Sequence, residues 1–177
     1  MAGALVLLAG CASAEPGATE GVGAAEPIPL TVAESWALAD PASDPFVAEA
    51  VGRVRCTGAA FRAEATWLEL TTTTCNYATF AYAFTSEVPP GSVIRGELAW
   101  ATLAALDPAL GTLAFATQDD LLWSHEVPIP SVADLVQVEF ELPERLPVGS
   151  ALYFHIRNHG YNSWQLGPLT LERANPQ

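Results

Sequence analysis

Tyr153, His155 and Arg157 occupy alternate positions of the run Ala151–Arg157, so on an extended strand their side chains share one face. A tyrosine offers a flat apolar surface with a polar tip, and histidine and arginine offer donors for hydroxyls or carboxylates. Together these are the ingredients of a polar-ligand site on a sheet. Asn158, His159, Tyr161, Asn162 and Trp164 follow at once and could complete its rim. The same residues also fit a solvated sheet face, followed by a turn in which Asn and Gly satisfy the backbone and Trp164 fills the core. Both readings stand on sequence alone.

Other chemistries find less to work with. His155, His159 and His125 are the three histidines. Residues four apart on a strand lie about 13 Å from one another, so only a sharp bend at Asn158 could bring His155 and His159 to one metal ion. No G-x-S-x-G elbow, phosphate-cradling glycine loop, CxxC pair or cofactor-binding motif is present. Carboxylates such as Glu69, Glu97, Asp119, Asp120, Glu126 and Glu139 are numerous enough for a hydrolytic pair to arise. With 20 acids, though, coincidental pairs are guaranteed, and solvated acidic faces account for them equally well.

The chain has 177 residues, half of them hydrophobic, and a formal charge of −13. All seven of its bases are arginine. That balance lacks the basic footprint a nucleic-acid partner requires, and the apolar content excludes a disordered acidic polymer. One folded domain is expected.

Residues 1–10 carry no charge and contain the apolar run Ala4–Ala9, which matches a signal-peptide core and is too short to span a bilayer. The run ends in Leu8-Ala9-Gly10-Cys11, which resembles the lipobox of bacterial lipoproteins, in which such a cysteine becomes diacylated and N-terminal. A competing A-x-A site, Ala12-Ser13-Ala14, would allow ordinary cleavage before Glu15 and a secreted or periplasmic product. Residues 11–29 are small and polar and read as a disordered tether, with a reach of about 23 Å as a coil. The folded domain is then expected over 30–177. Once Cys11 is assigned to the anchor or the leader, Cys56 and Cys75 remain. An oxidising compartment would let them pair, and two buried thiols are the alternative.

From Gly52 onward the hydrophobic period is two, broken by Pro and Gly. Val136–Leu142 alternates apolar and polar residues without exception, as a strand with one wet face does. Strands are also expected over 53–56, 65–73, 78–85, 92–103, 112–117, 121–127, 151–157 and 164–172. Residues 101–110 could add a helical turn or two. Phe80, Tyr82 and Phe84, alternating on one face, read as core rather than a stacking platform. About nine short strands without a convincing capped helix imply an all-β, antiparallel β-sandwich of jelly-roll type.

The C-terminal stretch 151–172, a strand carrying a basic residue that leads through an Asn/Gly turn into an aromatic and a closing strand, resembles the last hairpin of jelly-roll carbohydrate-binding modules. Over the wider domain, several segments resemble uncharacterised myxobacterial-type outer-membrane lipoproteins. They are Trp36, the Asp-Pro segment 40–45, Cys56, Cys75-Asn76-Tyr77, Leu122-Trp123 with Val127–Pro130, and Asn158–Trp164. Those relatives carry further histidines in the middle strands, where this chain has Ala101 and Gly111. The resemblance implies a bacterial cell-envelope location and a sandwich fold. Ala12 stands where an aspartate would resemble an inner-membrane retention signal, which points to the outer membrane. The partner expected from the anchor is the membrane, and the strand face and turn leave a glycan or an envelope protein open as alternatives.

Overall fold

The computed structural model describes residues 26–30, 35–64 and 66–174. Cys11, the leader and all of the tether before Glu26 lie outside them. Among the described residues eleven strands form two sheets: β1 (Ile28–Pro29), β2 (Trp36–Leu38), β3 (Phe61–Glu64), β4 (Trp67–Thr71), β5 (Tyr77–Ala83), β6 (Val93–Trp100), β7 (Ala109–Ala116), β8 (Leu121–Ile129), β9 (Asp134–Glu141), β10 (Ala151–Arg157) and β11 (Ser163–Glu172). The first sheet has the order β3-β4-β11-β6-β9, with β1 also paired to β11, and the second the order β2-β5-β10-β7-β8. All of these strand pairs are antiparallel. From β4 onward the chain crosses between the sheets at almost every connection, the jelly-roll style of an antiparallel sandwich.

Alternation built the core as expected. Leu152, Phe154 and Ile156 of β10 and Phe80 of β5 point inward, and Phe115 of β7 stacks on Phe154 at 5.0 Å while touching Phe140 of the opposite sheet at 5.2 Å. Phe84 is buried and Tyr82 packs against the same cluster, consistent with a core role for that aromatic run. On β9 Val138 and Phe140, and just beyond it Leu142, are buried while Gln137, Glu139 and Glu141 face water. Trp164 is 1% exposed and joins the core. Its ring fills the space above Gly111, where an added Cβ would come within 2.7 Å of the indole. That contact leaves no room for a side chain at position 111.

Three expectations about elements need correction. Residues 53–56 form no strand and meet the sheet only through a bridge of Arg55 to Tyr77. Residues 101–108 are not helical; they form an irregular connection with one bridge at Leu103. Residues 61–64, unassigned by period, pair with β4 as an edge strand whose outward side chains are exposed. In each case the pairing partner is distant in sequence or at a sheet edge, where the local pattern is weakest.

Candidate functional site

The outer face of the second sheet, expected to bind ligand through Tyr153, His155 and Arg157, is covered. The segment from Asp40 to Cys56 runs across it as a strap. Asp40 and Asp44 turn the chain by accepting the backbone N–H groups of Ala42 and Phe46, and a short 3-10 turn follows over Val47–Ala50. Phe46 then lies flat on the His155 ring, 4.2 Å between centroids and 13° between planes. Tyr77 meets the same ring edge-on at 5.0 Å and donates its hydroxyl to Asp44 at 2.5 Å. Arg55 reaches the same carboxylate at 3.5 Å, and Glu49 pairs with Arg157 at 3.1 Å.

His155 is consequently 0% exposed. Its Nδ1 shares a 3.0 Å hydrogen bond with the Thr79 hydroxyl, while Nε2 has no hydrogen-bond partner and lies 3.9 Å from a Glu49 oxygen. Burial drives the imidazole pKa down to about 3, the Arg157 and Arg53 charges push the same way, and Asp44 opposes them. The ring is neutral at physiological pH. Tyr153 is buried as well and donates its hydroxyl to Gln118 at 3.1 Å. Burial and the neighbouring Asp44 hold the Tyr77 phenol well above its ordinary pKa. His155 is therefore a packing residue beneath the strap and Tyr153 is buried beside Gln118, a correction to the binding face read from sequence.

Asn158 and Asn162 also face inward. Asn158 donates from Nδ2 to the Thr72 hydroxyl at 2.6 Å and to the Gly160 carbonyl at 2.7 Å. Asn162 donates from Nδ2 to Asn158 Oδ1 at 3.0 Å and to the His159 carbonyl at 2.8 Å, and its Oδ1 accepts the Ala104 N–H at 2.7 Å. Both donors of each amide are thus used within the protein. Asn158 and Asn162 hold the turn, and no free amide donor is left for a ligand. Gly160 sits at φ +88° with its Cα against the Ala104 carbonyl, where a Cβ would come within 2.1 Å of the oxygen.

What the knot of Asn158, Asn162 and Thr72 presents outward is a ridge, His159-Gly160-Tyr161. Tyr161 is 77% exposed, and His159 is exposed beside it. The ridge separates two hollows at the same end of the sandwich. One, of about 800 Å³, is walled by Thr73, Thr74, Asn76, Asp107, Leu106 and Tyr161. Leu106 is fully exposed there and Val54 more than half exposed. The other, of about 520 Å³, is lined by Arg53, Arg157 and His159 around Pro108, Ala109 and Leu110. Of the eight residues expected to bind, Arg157, His159 and Tyr161 reach these hollows with exposed or half-buried side chains and the buried Asn158 borders the smaller one, whereas His155, Asn162 and Trp164 are buried and Tyr153 is buried beside Gln118.

Sequence reading missed Arg53, Leu106, Asp107, Thr73, Thr74 and Asn76, which come from three loops that converge only in the fold. One signal was available. The outward residues of β5 and β7, Tyr77, Thr79, Ala81, Thr112, Ala114 and Ala116, carry no charge, and a wet face would.

The loops are tied to one another. Cys56 and Cys75 form a disulfide with Cα atoms 4.9 Å apart, and Val54 and Asn76 exchange two hydrogen bonds at 2.9 Å. The staple locks the end of the strap to the wall of the larger hollow. The histidines lie in three separate places: His155 under the strap, His159 on the ridge, and His125 between Trp100 and Trp123 at 6.0 and 5.9 Å. Among the described residues no three His, Cys, Asp or Glu side chains come together as a metal set.

The sequence matches no protein-family model and no curated protein. Its fold is shared with solved structures. The K3 cleaved adhesin domain of Lys-gingipain from Porphyromonas gingivalis w83 is 10% identical with a TM-score of 0.51, covering 85% of this chain and 99% of that one. A CBM4 structure is 8% identical with a TM-score of 0.43, over 81% and 97% of the two chains. The C-terminal CBM6 of LamC, a marine laminarinase from Zobellia galactanivorans, is 10% identical with a TM-score of 0.41, over 84% and 98%. At such identities the likeness to the adhesin domain defines the class as a β-sandwich and goes no further. The chain is an all-β, two-sheet antiparallel sandwich, a fold it shares with that adhesin domain.

Proposed function

We propose that the protein is a lipid-anchored cell-envelope β-sandwich that binds glycan at its loop end, across the ridge His159-Gly160-Tyr161. The observation that carries this reading is Tyr161: an aromatic ring 77% exposed, on a hairpin whose backbone is fixed by Asn158, Asn162 and Thr72, above a hollow of about 800 Å³. A rigid exposed tyrosine loses little entropy on binding and presents a flat face to the C–H surface of a sugar ring. Thr73, Thr74, Asn76 and Asp107 supply hydroxyl, amide and carboxylate partners at the edge of that face. The hollow is within the size range of small-ligand sites.

The anchoring half of the proposal rests on the lipobox at Cys11 and is supported by the Cys56–Cys75 disulfide, which suits an oxidising, exported environment. The outer membrane is the location that the residue after Cys11 favours. Adhesion to a surface polymer would suit a domain held away from its membrane by a tether.

The test is a glycan array with the purified protein, followed by titration of the best binder against Tyr161→Ala. Removal of the stacking face is expected to weaken binding about two- to tenfold, the range of aromatic contacts. Unchanged affinity in Tyr161→Ala would place the site elsewhere. A second reading, docking of an envelope protein, draws on Leu106 and Val54, whose exposed side chains add purely apolar surface around the same hollow. An array without binders, together with a stoichiometric partner captured from detergent-solubilised membranes and lost in Leu106→Asp, would favour it.

A further inference from the structure

The smaller hollow has a charge opposite to that of the protein. The chain carries 20 acids and seven bases, yet the residues lining this depression are Arg53, Arg157, His159, Asn158 and the apolar Pro108, Ala109 and Leu110, with no carboxylate among them. Two of the seven lining residues are arginine, in a chain with only seven arginines among 177 residues. Low-dielectric walls would also focus the arginine field into the depression.

The two guanidiniums differ in what they are free to do. Arg157 is half-buried and pairs with Glu49 at 3.1 Å, which orients it and neutralises part of its charge. Arg55, the next arginine along the strap, is taken by Asp44 and by the Ala39 carbonyl. Arg53 has no ion-pair partner among the described residues, and its charge is felt as far as the buried His155 ring. Its backbone is pinned by the N–H bond to Ala50 and lies one residue from the Val54–Asn76 bonds, so the guanidinium is presented from a fixed base. Beside it, Pro108 and Leu110 form an apolar floor, Leu110 being about half exposed. A planar donor fork over an apolar floor fits a sugar ring that carries an anionic group, the fork taking the anion and the floor the ring.

We propose that this hollow is an anion-selective subsite of the glycan site, with Arg53 as the residue that recognises a carboxylate or sulfate ester on the sugar next to the one stacked on Tyr161. The inference rests on the glycan-binding reading above, and His159, shared by both hollows, marks the junction between the two sugars. Recognition of an anion by a strongly acidic protein also gives selectivity. Acid groups that miss the hollow are repelled by the remaining surface.

The experiment titrates the purified protein with tetragalacturonate, a sulfated galactotetraose and neutral galactotetraose, with the glycan array as the wider survey. At least one anionic oligomer is expected to bind about tenfold or more tightly than the neutral one, with the advantage shrinking as salt is raised. Arg53→Ala should reduce that advantage to about twofold or less, whereas Tyr161→Ala should weaken charged and neutral oligomers alike. Preference for the uronate or for the sulfate identifies the source of the anion. Equal binding of charged and neutral oligomers, or a preference that survives Arg53→Ala in a folded protein, overturns the subsite. Neutral glycans bound through Tyr161 without any anionic preference would leave the glycan site standing and remove only this inference. No glycan bound by the wild type, charged or neutral, would remove both.

Discussion

Lowering the pH from 7 to 5 should cost this protein about 2 kcal/mol through one side chain. His155 is sealed against Phe46 and Tyr77, and its folded pKa is about 3 against an ordinary 6.5. A histidine whose folded pKa is depressed leaves stability untouched above pH 6.5. The loss begins as pH falls through 6.5, where the unfolded chain takes up a proton that the folded chain refuses, and it grows until about pH 3. Between 6.5 and 5 that is 1.5 pH units at about 1.36 kcal/mol each, or about 2 kcal/mol. Every charged group that faces the ring enters the balance. Arg157 and Arg53 add to the depression, while Asp44, together with the Glu49 oxygen 3.9 Å from Nε2, opposes it. The sheet neighbours Thr79 and Ala114 are uncharged. The comparison is between wild type and His155→Asn, which keeps a partner for the Thr79 hydroxyl. Urea unfolding at pH 7 and pH 5 measures the pH slope and not absolute stability, so the cost of the substitution itself cancels. The wild type should lose about 2 kcal/mol more than the variant over this interval, equivalent to about 4–8 °C in Tm for a domain of this size. Parallel pH curves for the two proteins would refute the claim that His155 is neutral and sealed beneath the strap.

Two further outcomes bear on the support of the site and on its anchoring. Asn162→Ala removes partners from Asn158, the His159 carbonyl and the part-buried Ala104 N–H together, and should cost about 2–4 kcal/mol in urea unfolding while disordering the Tyr161 ridge; a loss under about 0.5 kcal/mol would show that the turn is held by something else. Intact mass of protein extracted from membranes should correspond to a chain that begins at a diacylated Cys11, with Cys56 and Cys75 lacking their thiol hydrogens until reduced. A chain that begins at Glu15 without lipid would instead indicate ordinary secretion.

The strap explains why the expected binding face became an interior. Its hold on the sheet is polar at two points, Asp44 with Tyr77 and Glu49 with Arg157, with the Phe46 ring between them, and Arg55 of the strap itself pairs with Asp44. Asp44 is 3% exposed, so its hydrogen bonds replace water that it has lost. The covering also displaces the accessible chemistry to the loop end, where the ridge and both hollows lie. Binding at that end depends on three loops being held at fixed separations, the role filled by the disulfide, the Val54–Asn76 bonds and the asparagine pair.

Period-two alternation along 136–142 and 151–157 was enough to read a sandwich and to choose the inward residues, because a half-buried strand must place one apolar side chain every second position whatever its partners are. The same local rule identified Phe80 and Phe84 as core and the cysteine count pointed to a pair. Alternation cannot say what lies on the second face. Tyr153, His155 and Arg157 fit a sheet open to ligand as well as one covered by a segment 100 or so residues earlier, since the contact of Phe46 with His155 leaves no trace in either stretch alone. Likewise Asn158 and Asn162 look like free polar groups until Thr72 and Ala104 arrive from other loops and use their donors and acceptors. Local order followed from side-chain type at close range. Which faces meet water was decided by contacts between residues far apart in the chain, and those exist only once the sandwich has closed.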